Sequence, residues 1–363
     1  MSKDGWAITN YHVVSSIVFE PEQYVARMVR KPKKENLDMR LVAVDIVHDL
    51  ALVKLDDTRT STLSFIEKEP ETGTRLYSMG NPHSLGLTVV EGSYSGEIES
   101  SLWGNLHLTG AINSGMSGGP TINAEGQVVG VNVASAGNQL GFLVPAAPAK
   151  KLFEEGKHSE ASDNTFIESV TKQIQEGQDT VIERTFQTST PTTSLGNYIV
   201  MGQSGPAVRC WGDTDKNDEH PYIVTSRFCD MDSSVYVKPD FRSVRIKYGY
   251  NWVVNKGLDP MSFSTRYQRQ LLRGYGKGKG TSKDLTNYRC QKDFVTLNNI
   301  EYLMSYCVRA YKELKGLYDV YVYSATVNQE DRGLITYVYL SGFTLEKGKQ
   351  ITRRILETTR WKN

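Results

Sequence analysis

Short apolar runs broken by Gly, Asn, Asp or Pro recur along the first 145 residues. "WAITNYHVV", "RLVAVDIV", "LALVKLD", "TRLYSMG", "LTVVEGSYSGEI", "NLHLTGAI", "GQVVGVNVA" and "LGFLVP" follow one another in this stretch. Each is rich in β-branched or large apolar residues, and each predicts a strand. Many short strands with almost no helical periodicity point to an antiparallel sandwich or a pair of barrels.

The pattern changes after Pro145. "PAAPAKKLFEEG" predicts a short helix with proline near its start and glycine at its end. "TFIESVTKQIQEGQDTVIERTF" sets Phe166, Val170, Ile174, Val181 and Ile182 at near-helical spacing, interrupted at Gly177. "KHSEASDN" before it and the Ser/Thr-rich "QTSTPTTSLGN" after it read as polar spacers. From about residue 196 the chain reads as α+β. "YIVMG", "AVRCWG", "YIVTSRF", "SVYVKP" and "VRIKYGYNWVV" are strand candidates, and "SFSTRYQRQLLRGYG" is a helix candidate. "YDVYVYSATV" and "LITYVYLSGF" read as paired strands, and "EKGKQITRRILETTRW" as an amphipathic helix. This divides the chain into 1–157, a linker at 158–190, and an accessory domain at 191–363.

Composition narrows the classes. Of 363 residues, 39% are hydrophobic and 23% charged, as in a globular chain of about two domains. No apolar run reaches the length of a transmembrane helix, and "MSKDGWAITN" has no signal-peptide core. The formal net charge of +1 gives no global field to gather nucleic acid. The basic, aromatic stretch "RYQRQLLRGYGKGKGTSK" is therefore read as a solvated helix face and a Gly/Lys loop, with no nucleic acid as partner.

All four cysteines lie in the second half, none in a C-x-x-C pair, so no zinc ribbon or other metal site is expected. They fall into two local couples separated by hairpin-sized lengths. Of three pairings this favours Cys210–Cys229 with Cys290–Cys307, the alternative being four buried thiols. Disulfides would imply an oxidising compartment.

Three residues in the first half carry candidate chemistry. His12 stands at the end of the strand-like "ITNYHVV", Asp49 opens "DLALVKL", and Ser117 sits in "GMSGGP". A serine nucleophile needs a base, an acid that fixes the base's tautomer, and backbone N–H groups for the oxyanion. Gly115 to Gly119 also satisfies the G-x-S-x-G elbow of α/β-hydrolases. Context rejects that reading, because a strand, an Asn-Ala-Glu-Gly turn and a second strand follow Pro120, where an elbow needs a helix. His48 and His83 read as loop or surface residues.

Together with "YSMGNPHSLGLTVVEGSYSG", "AINSGMSGGPTINAEGQVVGVNVA" and "LGFLVP", the blocks "ITNYHVV" and "DIVHDLALVKLD" resemble the HtrA/Deg-like branch of the trypsin-like, chymotrypsin-fold serine proteases. Five blocks stand in the family's order over roughly residues 1–150. The resemblance implies a mainly β, chymotrypsin-like double β-barrel followed by the α+β domain, which does not look like a PDZ domain. It implies His12 as general base, Asp49 as its orienting acid and Ser117 as nucleophile. Gly115 and Ser117 would supply the oxyanion hole. Ala111 would floor the primary pocket and Val131, Asn132 and Val133 would wall it, with Leu140 to Phe142 nearby. With alanine at the floor, a small or medium aliphatic side chain fits better than a basic one.

The family's strand before the one leading to the base has no counterpart here. The first barrel is thus expected to lack one strand, as though an upstream segment, with an export signal, were absent. The implied activity is a serine endopeptidase acting on proteins or peptides through an acyl-enzyme, with no cofactor. The implied setting is periplasmic or otherwise extracytoplasmic quality control, and self-association is compatible with the pattern. The alternative is an inactive protease-like scaffold whose C-terminal domain recognises a ligand.

Overall fold

The computed structural model describes residues 2–30, 35–56, 62–135, 137, 139–158, 163–186, 190–215, 220–272 and 280–362. The Gly/Lys loop at 273–279 and parts of both polar spacers lie outside them. Two compact units emerge. Unit 1 holds residues 1–174 and 235–241, and unit 2 holds 175–234 and 242–363.

Unit 1 begins with strand β1 (Trp6–Thr9) and helix α1 (Tyr11–Phe19), then β2 (Ala26–Arg30), β3 (Glu35–Asp45) and β4 (Leu50–Leu55). The four strands form an open antiparallel sheet in the order β1-β4-β3-β2. Next come β5 (Arg75–Gly80), β6 (Thr88–Glu97), β7 (Leu106–Leu108), β8 (Pro120–Ile122), β9 (Val128–Ser135) and β10 (Gly141–Pro145). They close into a six-stranded barrel in the order β10-β7-β6-β5-β8-β9. The fold is mainly β and chymotrypsin-like, with a closed barrel beside an open first sheet.

Helix α2 (Ala146–Gly156) bridges these two lobes. Its Ala149 joins Leu50 of β4, Val131 of β9 and Val144 of β10 in one buried apolar cluster, with Ile8, Val133 and Leu152 packed against it. Burial of this kind, at about 25 cal/mol per Å² of apolar surface, fixes the lobes to each other. The barrel has its own core, in which Leu76, Tyr94, Leu108, Met116 and Leu143 meet.

The end of "WAITNYHVV" departs from expectation. The strand expected there stops at Thr9, and Tyr11 to Val14 open α1, with His12 in that helix's first turn. Tyr11, Val14 and Val18 bury one helical stripe at i, i+3 and i+7. Tertiary burial of this face outweighs a helix-propensity deficit of a few tenths of a kcal/mol per β-branched residue, roughly the scale of host–guest measurements.

Helix α3 (Asp163–Thr185) runs without a break through Gly177. Beyond it lie β11 (Thr192–Leu195), β12 (Tyr198–Met201), β13 (Val208–Asp215), β14 (Tyr222–Met231), β15 (Val235–Lys238), β16 (Phe241–Ser243) and β17 (Arg245–Asn255). Helix α4 (Pro260–Leu272), β18 (Arg289–Leu297), β19 (Ile300–Ala310), β20 (Tyr318–Thr326), β21 (Arg332–Phe343), α5 (Leu345–Glu357) and β22 (Arg360–Trp361) complete the chain.

Unit 2 is built on a seven-stranded antiparallel sheet, β13-β14-β17-β21-β20-β19-β18. Disulfides Cys210–Cys229 and Cys290–Cys307 tie each edge strand, β13 and β18, to its neighbour. On one face Tyr321, Tyr323, Tyr337 and Tyr339 pack with Phe263 and Tyr267 of α4. On the other, Gly348 lets α5 approach Val320 of β20 closely. No helix among the described residues is long and apolar enough to cross a membrane.

Candidate active site

Asp49 occupies the turn between β3 and β4 with φ +55°. Aspartate tolerates this left-handed conformation better than most L-residues. The turn aims all of its acceptors at the start of α1. The Asp49 carbonyl accepts the Tyr11 N–H at 3.0 Å and the Asn10 side-chain amide at 2.9 Å. Its carboxylate accepts the His12 backbone N–H at 2.8 Å through Oδ1, and Oδ2 lies 2.6 Å from His12 Nδ1.

The first N–H groups of any helix lack an intrahelical acceptor. Asn10, which precedes α1, makes no side-chain cap. Asp49 does that work from the turn between β3 and β4, and its negative charge also suits a helix N-terminus. An ionised carboxylate can only accept. The 2.6 Å contact therefore assigns the proton to His12 Nδ1 and leaves a lone pair on Nε2. Burial, helped by the Asp49 charge, pushes the neighbouring Tyr11 phenol far up, so that hydroxyl remains a donor.

Ser117 lies half-buried in the loop between β7 and β8. Met116 pins this loop, its side chain wholly buried in the barrel core. The carbonyls of the loop are taken up on its inner side. Ser114 O accepts the His83 N–H and Gly115 O accepts the Asn81 N–H, both at 3.2 Å. Met116 O accepts the Gly119 N–H at 3.1 Å and Asn132 Nδ2 at 3.2 Å. In a trans peptide the N–H points opposite to the C=O. Holding the Ser114 and Met116 carbonyls thus turns the N–H groups of Gly115 and Ser117 away from these partners. Neither N–H donates a hydrogen bond among the described residues. Two unspent donors two residues apart are what a developing oxyanion requires.

Glycine is needed at two points of this loop. Gly115 has φ +93°, and a Cβ there would lie 2.5 Å from Asn81 O. Gly118 has φ +80°, and its Cβ would lie 2.3 Å from Thr9 Oγ1 and 3.2 Å from Asn10 N. The loop residue after Ser117 is thus seated on the two residues that lead into α1, close to His12. A strand, β8, follows the serine, so the elbow context is absent here.

The pocket candidates separate. Ala111 is exposed. Val131 is buried in the cluster between the lobes, and Val133 packs against that cluster. Asn132 is fully buried. Its amide donates to Met79 O and Met116 O, and its Oδ1 accepts from Ser78 and Thr121 at 2.8 and 2.7 Å. Its side chain braces the serine loop. Sequence reasoning missed this role, and those of Asn81 and the His83 backbone, although all three lie in the blocks that carry the resemblance. His48 makes its own pair with Asp45 at 2.7 Å, away from the Asp49 contacts.

A mainly β unit with a carboxylate-bound histidine and a donor-lined serine loop holds the parts that serine-protease chemistry requires. Known proteins are similar to this part of the chain. Residues 1–131 match the trypsin-like peptidase domain. Over 191 residues the chain is 37% identical to a probable periplasmic serine endoprotease DegP-like of Rhizobium meliloti (strain 1021), covering 48% of this chain and 36% of that protein. The corresponding protein of Bartonella henselae is 32% identical over the same shares. The chain thus spans only 36% of the length of these relatives. The crystal structure of the serine endoprotease from Yersinia pestis is similar over 43% of this chain and 54% of that one, at 29% identity and a TM-score of 0.37. The N-terminal part of this chain is similar to HtrA/Deg-like, trypsin-like serine proteases.

Proposed function

We propose that the chain is a serine endopeptidase with His12, Asp49 and Ser117 as its triad. The Ser117 hydroxyl attacks the scissile carbonyl while its proton passes to His12 Nε2. Asp49 holds the imidazole and stabilises its cation. The N–H groups of Gly115 and Ser117 receive the oxyanion. The amine then leaves with the proton from His12, and water, activated by the same nitrogen, hydrolyses the acyl-enzyme to return Ser117. The observation that carries this reading is the Asp49 carboxylate bound to both the backbone and the ring of His12.

The substrate is a protein or peptide, cut after a small or medium aliphatic residue. Ala111 forms the pocket floor in this reading, and strand β9 contributes its main chain as wall. The relatives' names and the two disulfides support an extracytoplasmic setting. An unfolded protein substrate tests the activity. The chain should release peptides ending in Ala, Val or Leu, and Ser117→Ala should release none. Equal cleavage by the alanine variant would refute the triad.

A further inference from the structure

Residues 235–241 follow two helices and four strands beyond the barrel, yet they belong to unit 1. Here β15 pairs with β16 as a separate two-stranded ribbon, with a turn at Pro239 and Asp240, the latter at φ +60°. Val235, Val237 and Phe241 are buried.

Strand alternation sets Tyr236 and Lys238 on one side of β15. Both meet α1. The Tyr236 ring stands against the His12 imidazole in an edge arrangement, with centroids 5.9 Å apart and planes at 69°. Lys238 Nζ lies 4.9 Å from the centroid of Phe19, the last residue of α1. Between them the Val237 carbonyl accepts the buried Tyr11 hydroxyl at 2.9 Å. The ribbon therefore grips both ends of the helix that carries the base.

Asp49 fixes His12 only at Nδ1 and at the helix start. About that contact the ring can still tilt, and α1 can still shift. A ring edge against the imidazole limits the tilt, and the Tyr11 bond limits the shift. Catalysis is sensitive to such placement, since an error of about 1 Å costs roughly 10²-fold in rate.

We propose that Tyr236 is a positioning residue for His12, so that the ribbon at 235–241 is a working part of the protease domain. This rests on the serine-protease reading above. The test compares the full chain with its Tyr236→Ala, Tyr236→Phe and Tyr236→Leu variants. Fluorophosphonate labelling rate, kcat and KM on a peptide substrate, and Tm are measured for each. The alanine variant should label and turn over about 10–100-fold more slowly. Its KM should stay within about 2-fold, and its Tm should fall by no more than about 4 °C. Phenylalanine, which keeps the ring, should restore the rate; leucine should do so only in part.

A wild-type labelling rate in the alanine variant would overturn the proposal. So would a change confined to KM, or an equal loss with phenylalanine. If alanine unfolds the chain, the phenylalanine and leucine variants decide on the same criteria. Failure of the unaltered chain to label would instead remove the protease reading, and this inference with it.

Discussion

The Asp49 carboxylate holds His12 twice, through the backbone N–H at 2.8 Å and through ring Nδ1 at 2.6 Å. One side chain thereby caps α1 and selects the tautomer of the residue it carries. Structural and chemical roles are fused in a single contact, and substitution can pull them apart.

Asp49→Asn keeps an oxygen for the helix cap but gives the imidazole a neutral, ambiguous partner. We expect kcat to fall by about 10⁴-fold, the order seen when a triad acid is made neutral. Stability should fall by no more than about 1 kcal/mol, the scale of a helix-terminus charge. Asp49→Ala should match that loss of rate and cost about a further 1 kcal/mol for the lost cap. Turnover and thermal unfolding of both variants check the separation. A fully active asparagine variant would show that Asp49 only caps the helix.

Asn132 offers a second prediction. Its amide satisfies the carbonyls of Met79 in β5 and Met116 in the serine loop, and two hydroxyls, in a fully buried place. Asn132→Ala strands those groups and should destabilise unit 1 by on the order of 3 kcal/mol. It should also lower kcat more than KM, because the freed Met116 carbonyl lets the Ser117 peptide rotate. Chemical denaturation together with steady-state kinetics would show both. A stability loss with unchanged kcat would mean that the Ser117 N–H does not depend on this brace.

What the sequence disclosed follows the range of the interactions. The Ser117 loop and the β8–β9 hairpin after it were legible, because glycines and a four-residue turn are local signals. The positions of His12 and Asp49 were legible through resemblance. Helix α1 was not, since its β-branched residues speak for a strand. The 11, 14, 18 spacing of its buried residues was the available signal, and its capping carboxylate comes from 37 residues away. The break expected at Gly177 fails for a similar reason. Gln178 holds a fully buried helical position where an apolar residue would show the pattern, and it donates to Gly342 O. Strand β15 was legible in "SVYVKP", but β16 was not, and nothing in that stretch says that the ribbon joins unit 1.

Tyrosine titration should distinguish unit 2. Burial pushes the phenol of Tyr339 up to about 12, and those of Tyr250, Tyr267, Tyr302 and Tyr337 higher still. A phenol whose pKa is raised by folding contributes stability below its ordinary value near 10. That contribution is lost as pH rises through the folded value. Unit 2 should therefore lose stability progressively as pH rises above about 10, with unfolding seen as a joint rise in tyrosinate absorbance and loss of circular dichroism. Titration of all phenols near pH 10 with the fold intact would contradict the packing of this sheet.

The most direct test of the account is fluorophosphonate labelling of the intact chain beside Ser117→Ala and His12→Ala. The reagent reports a serine that is activated by a base and faces an oxyanion site. The account predicts stoichiometric labelling of the chain at Ser117, none of the serine variant, and a rate lowered by about 10³-fold or more in the histidine variant. Equal labelling of all three, or labelling at another serine, would contradict it.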